Sequence, residues 1–253
     1  MNYLATADTD IGISKSTNQD SVLVKHASYD DREVVLAIVC DGMGGLSKGE
    51  VASATVIRRF ADWFDTEFAE ELPEPDLNVI AENWSKMLKD LNARIHEYAR
   101  PLRISMGTTF CGILLVNDAY LIENVGDSRL YYIGSHMNQL TTDQSFVARE
   151  ISRGTMTPEQ AKVDKRRNLL LQCVGASDTV DPQIIIGKAE RGAYLICSDG
   201  FRHEIDEQEM YESLNPVNLV NKNAMHSNVQ YLINLVKKRN EKDNISVVLI
   251  KAM

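Results

Sequence analysis

Four aspartates stand at the ends of apolar, strand-like runs: Asp41 follows VVLAIVC, Asp127 follows AYLIENVG, Asp199 follows AYLICS, and Asp243 lies just before ISVVLI. Carboxylates at the strand ends of one domain are expected to converge, and converging carboxylates repel one another unless positive charge lies among them. A bound cation is the natural remedy. No Cys or His is spaced to join the four, so the all-oxygen set favours a hard divalent ion, Mg2+ or Mn2+, over zinc. The loop Asp41-Gly42-Met43-Gly44-Gly45 carries more glycine than a hairpin requires, which would let backbone carbonyls approach an ion closely. Taken singly, Asp41-Gly42 and Asp199-Gly200 are ordinary turn pairs, as is Asp243-Asn244. From the pattern alone, a metal site and a set of ordinary turns both stand.

These aspartates need strands to place them. Residues 34–40, 107–116, 119–125, 129–133, 184–187, 193–198 and 245–250 are short, rich in β-branched, aromatic or leucine side chains, and bounded by Gly, Asp or Asn, so they read as strands. Two helical patterns fall between the first strand and residue 107. Val56, Phe60, Phe64 and Phe68 recur every four residues, and Leu77, Ile80, Trp84, Leu88, Leu91, Ile95 and Tyr98 keep a 3.6-residue period. Pro73 and Pro75 separate them, which predicts an antiparallel helix pair laid on a sheet. A last helix is expected over about 228–239, capped by Asn228, with Asn240 as a left-handed stop. Short turns between strands favour antiparallel pairing, and the expected class is α+β, a layered sandwich with helices outside. Residues 143–182 carry few strand signals but include Arg149, Arg153, Lys162, Lys165, Arg166 and Arg167. This stretch reads as a subdomain inserted over the sheet edge.

The 253 residues, 44% hydrophobic and 25% charged, suit one large domain with a full core. A net charge of −9 opposes nucleic acid and acidic membrane surfaces as partners. No apolar run reaches the roughly 18 residues of a membrane helix, and Asp8 and Asp10 interrupt any leader-like start. Cys40, Cys111, Cys173 and Cys197 are far apart and mostly in apolar stretches, as buried free thiols of a reducing, cytoplasmic compartment would be.

The ordered blocks Asn18-Gln19-Asp20, Asp41-Gly42-Met43-Gly44-Gly45, Met106-Gly107-Thr108-Thr109, Gly126-Asp127-Ser128-Arg129, Ser198-Asp199-Gly200 and Asp243-Asn244 span nearly the whole chain. Together they resemble the PP2C, or PPM, family of metal-dependent protein serine/threonine phosphatases, in its bacterial branch. The resemblance implies a four-layer α/β/β/α sandwich of two antiparallel β-sheets flanked by antiparallel helix pairs, with two Mn2+ or Mg2+ ions at one end. It implies that Asp41 bridges both ions, that the Gly42 carbonyl binds one, and that Asp199 and Asp243 complete the other. Asp20 would hold metal-bound waters, and Asp127 with Asp199 matches the place of a weaker third ion in some members. A hydroxide shared by the two ions would attack phosphorus in line, with no covalent phosphoenzyme. The rival phosphatase chemistry, a Cys nucleophile with an Arg six residues later, fails here: six residues after Cys197 stands His203, with Arg202 one place early.

Two positions depart from the family pattern. Lys15 stands where many members carry an Arg that binds the substrate phosphate; it offers a point charge without the forked donor. Met43 stands where eukaryotic members carry a His proposed as general acid. The five histidines have no spacing suited to a metal site and read as packing or surface residues. The expected protein is thus a cytoplasmic, monomeric phosphatase acting on phosphorylated proteins and opposing a serine/threonine kinase. Two rival readings share its fold: a catalytically silent phosphoprotein-binding module, and a dedicated phosphatase of one stress or sporulation regulator.

Overall fold

The computed structural model describes residues 1–30, 32–43, 48–72 and 74–253. Gly44 and Gly45 of the glycine loop, and Pro73 between the first helices, lie outside the described residues. In chain order the elements are β1 (Tyr3–Asp10), β2 (Ser21–Tyr29), β3 (Arg32–Cys40), α1 (Gly49–Asp65), α2 (Glu67–Glu71), α3 (Leu77–Leu102), β4 (Phe110–Val116), β5 (Ala119–Val125), β6 (Arg129–Ile133), β7 (Met137–Gln139), α4 (Phe146–Ser152), α5 (Pro158–Val163), β8 (Gln183–Lys188), β9 (Gly192–Cys197), α6 (Asp199–Arg202), α7 (Glu207–Leu214), α8 (Lys222–Lys238) and β10 (Ile245–Ala252). The strands form two antiparallel sheets, ordered β1-β10-β9-β6-β7 and β2-β3-β4-β5-β8.

Side-chain alternation builds three apolar layers from these two sheets. On β3, Val34, Leu36, Ile38 and Cys40 face the helices α1 and α3, while Val35, Ala37 and Val39 face the other sheet. On β10, Ile245, Val247 and Leu249 meet α8, while Val248 and Ile250 point inward. Strands buried on both faces must be apolar at every position, which is why these runs are continuous rather than alternating. Beneath α1 and α3, Trp84 meets Phe60 and Trp63 edge-on at centroid distances of 5.2 and 5.4 Å. Offset and edge contacts of this kind suit the ring quadrupoles.

The expected four-layer sandwich is therefore the observed one, with local differences. β4 begins at Phe110, since residues 107–109 leave the sheet to bridge Gly42 and Val174. The last helix begins at Lys222, because the Asn221 side chain accepts the Ala224 N–H and caps it about two turns before Asn228. Asn240 follows with φ of 68°, the left-handed stop expected there. Among the described residues no helix is long and apolar enough to cross a membrane.

Candidate active site

The four strand-end aspartates reach one place. Asp41 directly follows β3, Asp127 lies in the turn between β5 and β6, Asp199 opens α6 after β9, and Asp243 precedes β10. All four line a single pocket of about 380 Å3, together with Lys15, Met43, Thr109, Asn168 and Leu170. Asp20, which is buried, and Gly42 do not line it. A larger hollow of about 900 Å3 beside α3 mixes Lys89, His96, Glu97, Arg100 and Asp178, and none of these strand ends opens into it.

Backbone hydrogen bonds hold Asp41 in place. Its N–H donates to Thr109 Oγ1 at 2.9 Å, and its carbonyl accepts from the Thr109 N–H and from Thr108 Oγ1, each at 2.9 Å. Thr109 Oγ1 in turn pairs with Ser128 Oγ at 2.7 Å, which ties the Met-Gly-Thr-Thr block to the Gly-Asp-Ser-Arg block. At Gly42 a Cβ would lie 2.3 Å from the Gln19 carbonyl oxygen and 2.7 Å from that of Gly49, so only glycine fits between those backbones.

Asn244 fixes the opposite wall. Its Oδ1 accepts from the Gln19 N–H at 2.9 Å, and its Nδ2 donates to the carbonyls of Ile11 at 2.9 Å and Thr17 at 3.2 Å. The loop that carries Lys15 is thereby pinned to the residue after Asp243. Lys15 Nζ sits 2.8 Å from Asp243 Oδ1, which also accepts the Asn244 N–H at 2.9 Å.

The pocket holds more negative charge than its own cations balance. Burial drives the Asp41 carboxyl well above its ordinary range, with Asp20, Asp199, Asp127 and Asp243 adding to the rise. Asp20 is pushed up to about 7, first by burial and then by Asp199 and Asp243, with the nearby Ser246 and Ser198 hydroxyls opposing the rise. Those hydroxyls pair elsewhere, with Thr9 Oγ1 at 2.8 Å and with the Ser246 carbonyl at 3.5 Å, and among the described residues neither Asp20 oxygen has a hydrogen-bond partner. Asp127 is raised to about 6 by burial and by Asp199, with Arg202 pulling it back. For Lys15, burial works against its charge, but the hydrogen bond to Asp243 and the fields of Asp41 and Asp199 outweigh it.

Buried carboxylate oxygens without partners, on Asp20 and at Asp199 Oδ1, are costly unless a cation or ordered water satisfies them. An all-oxygen, over-negative donor set of this kind fits hard divalent ions. Among the described residues, no three His, Cys, Asp or Glu side chains already close into a coordination shell. The Lys15 ammonium engages one Asp243 oxygen.

Two neighbours of Asp199 were not evident as site residues from the sequence. His203, expected only to pack or face solvent, places Nε2 3.5 Å from Asp199 Oδ2 and Nδ1 3.5 Å from Glu241 Oε2. Arg202 donates to the Asp127 carbonyl at 3.0 Å. Their positions three and four residues after Asp199, on one helical turn, are the signal that could have found them. Arg129 instead grips both oxygens of Asp143 at 2.8 Å, as a brace for its loop.

The basic residues of 143–182 divide into two groups. Arg149 pairs with Glu150 at 3.1 Å, and Arg166 pairs with Asp164 at 2.9 Å while stacking over Phe146. Lys162 and Arg167 face a hollow of about 730 Å3, also lined by Lys242, that shares Lys15, Asn168 and Asp243 with the carboxylate pocket.

Comparison with known proteins agrees with this geometry. The family model described as "Protein phosphatase 2C" matches residues 13–249. The serine/threonine phosphatase stp of Listeria monocytogenes is 31% identical over 252 residues, covering 96% of this chain and 93% of that protein. The structure of serine/threonine phosphatase Stp1 from Staphylococcus aureus aligns with a TM-score of 0.86 at 29% identity, over 100% of this chain and 96% of that one. The catalytic domain of the serine threonine protein phosphatase PstP, solved in complex with 2 manganese ions, aligns with a TM-score of 0.77 at 27% identity, over 98% and 97% of the two chains.

Proposed function

This chain belongs to the protein phosphatase 2C family, and from that membership we propose that it hydrolyses phosphoserine and phosphothreonine in proteins with the help of two divalent ions. It is a serine/threonine phosphatase. The observation that carries the reading is the meeting of Asp41, Asp127, Asp199 and Asp243 around one pocket with a lysine at its rim.

Asp41, the Gly42 carbonyl, Asp199 and Asp243 would hold two Mn2+ or Mg2+ ions. Such ions, when bound, supply Lewis-acid charge for the phosphoryl oxygens and acidify water at neutral pH. The chain's own groups do the rest. Thr108, Thr109 and Ser128 keep Asp41 at a fixed place, so little reorganisation is needed when charge develops there. Asp20, with both oxygens unpartnered among the described residues, is placed to accept hydrogen bonds from water ordered in the pocket. Lys15 meets the incoming phosphate as a point charge by exchanging Asp243 for a phosphoryl oxygen. Met43 lines the pocket but has no proton to donate, so protonation of the departing serine or threonine oxygen falls to water.

Residues 143–182 are read as a flap-like insert in a single domain of residues 1–253, since Asn168 and Leu170 reach from it into the pocket wall. Its Lys162 and Arg167, which have no carboxylate partner among the described residues, border the neighbouring hollow and would meet acidic residues of a phosphorylated protein. Four free, buried cysteines support a cytoplasmic setting, where a serine/threonine kinase would be opposed by a monomeric enzyme. The test is phosphate release from a phosphothreonine peptide by metal-stripped protein, before and after Mn2+ is restored. Release only with Mn2+ supports the reading; tight peptide binding with no release would instead identify a silent phosphoprotein-binding module.

A further inference from the structure

Asp127 has a buried arginine beside it, whereas Asp243 is paired with the more exposed Lys15. The Arg202 side chain is 12% exposed and that of Asp127 14%, and the two approach with Nη2 3.8 Å from Oδ2. The same Nη2 donates to the Asp127 carbonyl at 3.0 Å, which fixes the guanidinium against the β5–β6 turn. Asp143 also lies 3.8 Å from Arg202, but both its oxygens are already gripped by Arg129 at 2.8 Å. Arg202 therefore stands between Asp143, which is already paired, and Asp127, which has no other arginine or lysine within 4 Å among the described residues.

Arg202 is not free to move aside. It ends the one-turn helix α6, which begins at Asp199 and contains the fully buried Phe201. Gly200 of that turn packs so closely on the chain that a Cβ there would lie 2.2 Å from the Asn244 carbonyl oxygen. Asp199 and the guanidinium are thus parts of one rigid turn. His203 follows, with Nε2 3.5 Å from Asp199 Oδ2, while Asp199 Oδ1 is buried with no partner among the described residues. Asp199 Oδ2 thus lies beside an imidazole, and Oδ1 is left for the pocket.

We propose that the Arg202 guanidinium is the permanent counter-charge of Asp127, so that the pocket has room for two divalent ions and Asp127 binds no third. This rests on the metal-dependent reading above. An ion placed between Asp127 and Asp199 would stand beside a fixed, buried positive charge that cannot deprotonate or swing into water. The sign of that interaction is repulsive, whereas among the described residues Asp41, the Gly42 carbonyl and Asp243 have only the displaceable Lys15 as a cation beside them.

The experiment counts bound Mn2+ on the metal-free full chain by electron paramagnetic resonance of the free aqueous ion, up to millimolar Mn2+. Wild type is expected to bind two ions per chain, and Asp127→Asn also two. Arg202→Gln, with an unchanged circular dichroism spectrum, is expected to bind a third, while Arg202→Lys stays at two because the charge is kept. Three ions on wild type overturn the proposal, as does a folded Arg202→Gln protein that binds only two. Should Arg202→Gln not fold, wild type and Asp127→Asn decide alone, since a loss of one ion in Asp127→Asn makes Asp127 a ligand. A count of zero in wild type would instead reject the metal-dependent reading itself.

Discussion

Glu123→Gln tests whether the interior of the sandwich carries a carboxyl held in its neutral form. Glu123 lies on β5, fully buried between Gly112 of β4 and Ile184 of β8. Ser85 donates to its Oε1 at 3.2 Å, and Oε2 has no partner. Burial raises its pKa from 4.5 to about 8, against the smaller opposing effects of Ser85 and Lys89. The folded protein then keeps a proton that the unfolded chain releases above pH 4.5. Stability from this group is fully present below that pH, falls as pH rises, and levels off above about 8. Each pH unit in that window costs about 1.4 kcal/mol, and the whole window about 4 to 5 kcal/mol. Gln mimics the protonated form and does not titrate, so the variant should match wild type near pH 4.5 and exceed it progressively to pH 8. The assay is urea unfolding of both metal-free proteins at half-unit steps from pH 5 to 9. Subtracting the two curves cancels every other titrating group. A stability difference that stays constant across this range would refute the reasoning and imply that Lys89 or water neutralises an ionised Glu123.

Three further outcomes follow from the site. Lys15→Ala should raise KM for a phosphopeptide severalfold, while Lys15→Arg should hold or lower it; an unchanged KM in Lys15→Ala would make Lys15 only a partner for Asp243. Neutralising Lys162 and Arg167 together should lower kcat/KM for an acidic phosphopeptide about tenfold at low salt, less at high salt, and spare a small aryl phosphate. The same change at Arg149 and Arg166, already paired within the segment, should do little, and equal losses from both pairs would contradict this division. Met43→His should speed phosphothreonine hydrolysis more than aryl phosphate hydrolysis, because only the alkoxide needs a proton as it leaves; equal effects on the two would point to another acid.

What the sequence revealed and what it hid both follow from burial. Strands β3, β9 and β10 read clearly because helices cover one face and the second sheet the other, so every position is apolar. Their ends carry the aspartates, and the site was legible for the same reason. The missed strands β1, β2 and β7 are outer strands of their sheets. TADTD in β1 and KHASY in β2 are half polar, as an edge must be if it is not to pair with other chains. Arg202 and His203 escaped notice because their partners, Asp127 and Glu241, are distant in sequence and only the fold joins them. The basic residues of 143–182 looked alike in sequence, yet local carboxylates at Asp164 and Glu150 claim Arg149, Arg153 and Arg166 and leave Lys162 and Arg167 facing the hollow beside the active site.

The central claim is that strand-end carboxylates assemble a metal-dependent hydrolytic site, with Asp41 serving both ions. The most direct measurement is kcat on a phosphothreonine peptide for wild type and Asp41→Asn, each titrated with Mn2+ to saturation and checked for an unchanged circular dichroism spectrum. Asn keeps the shape and removes the charge, so the account predicts a fall in kcat of about 10^3-fold or more that no Mn2+ concentration restores. An Asp41→Asn protein that reaches near-wild-type kcat at high Mn2+ would contradict it.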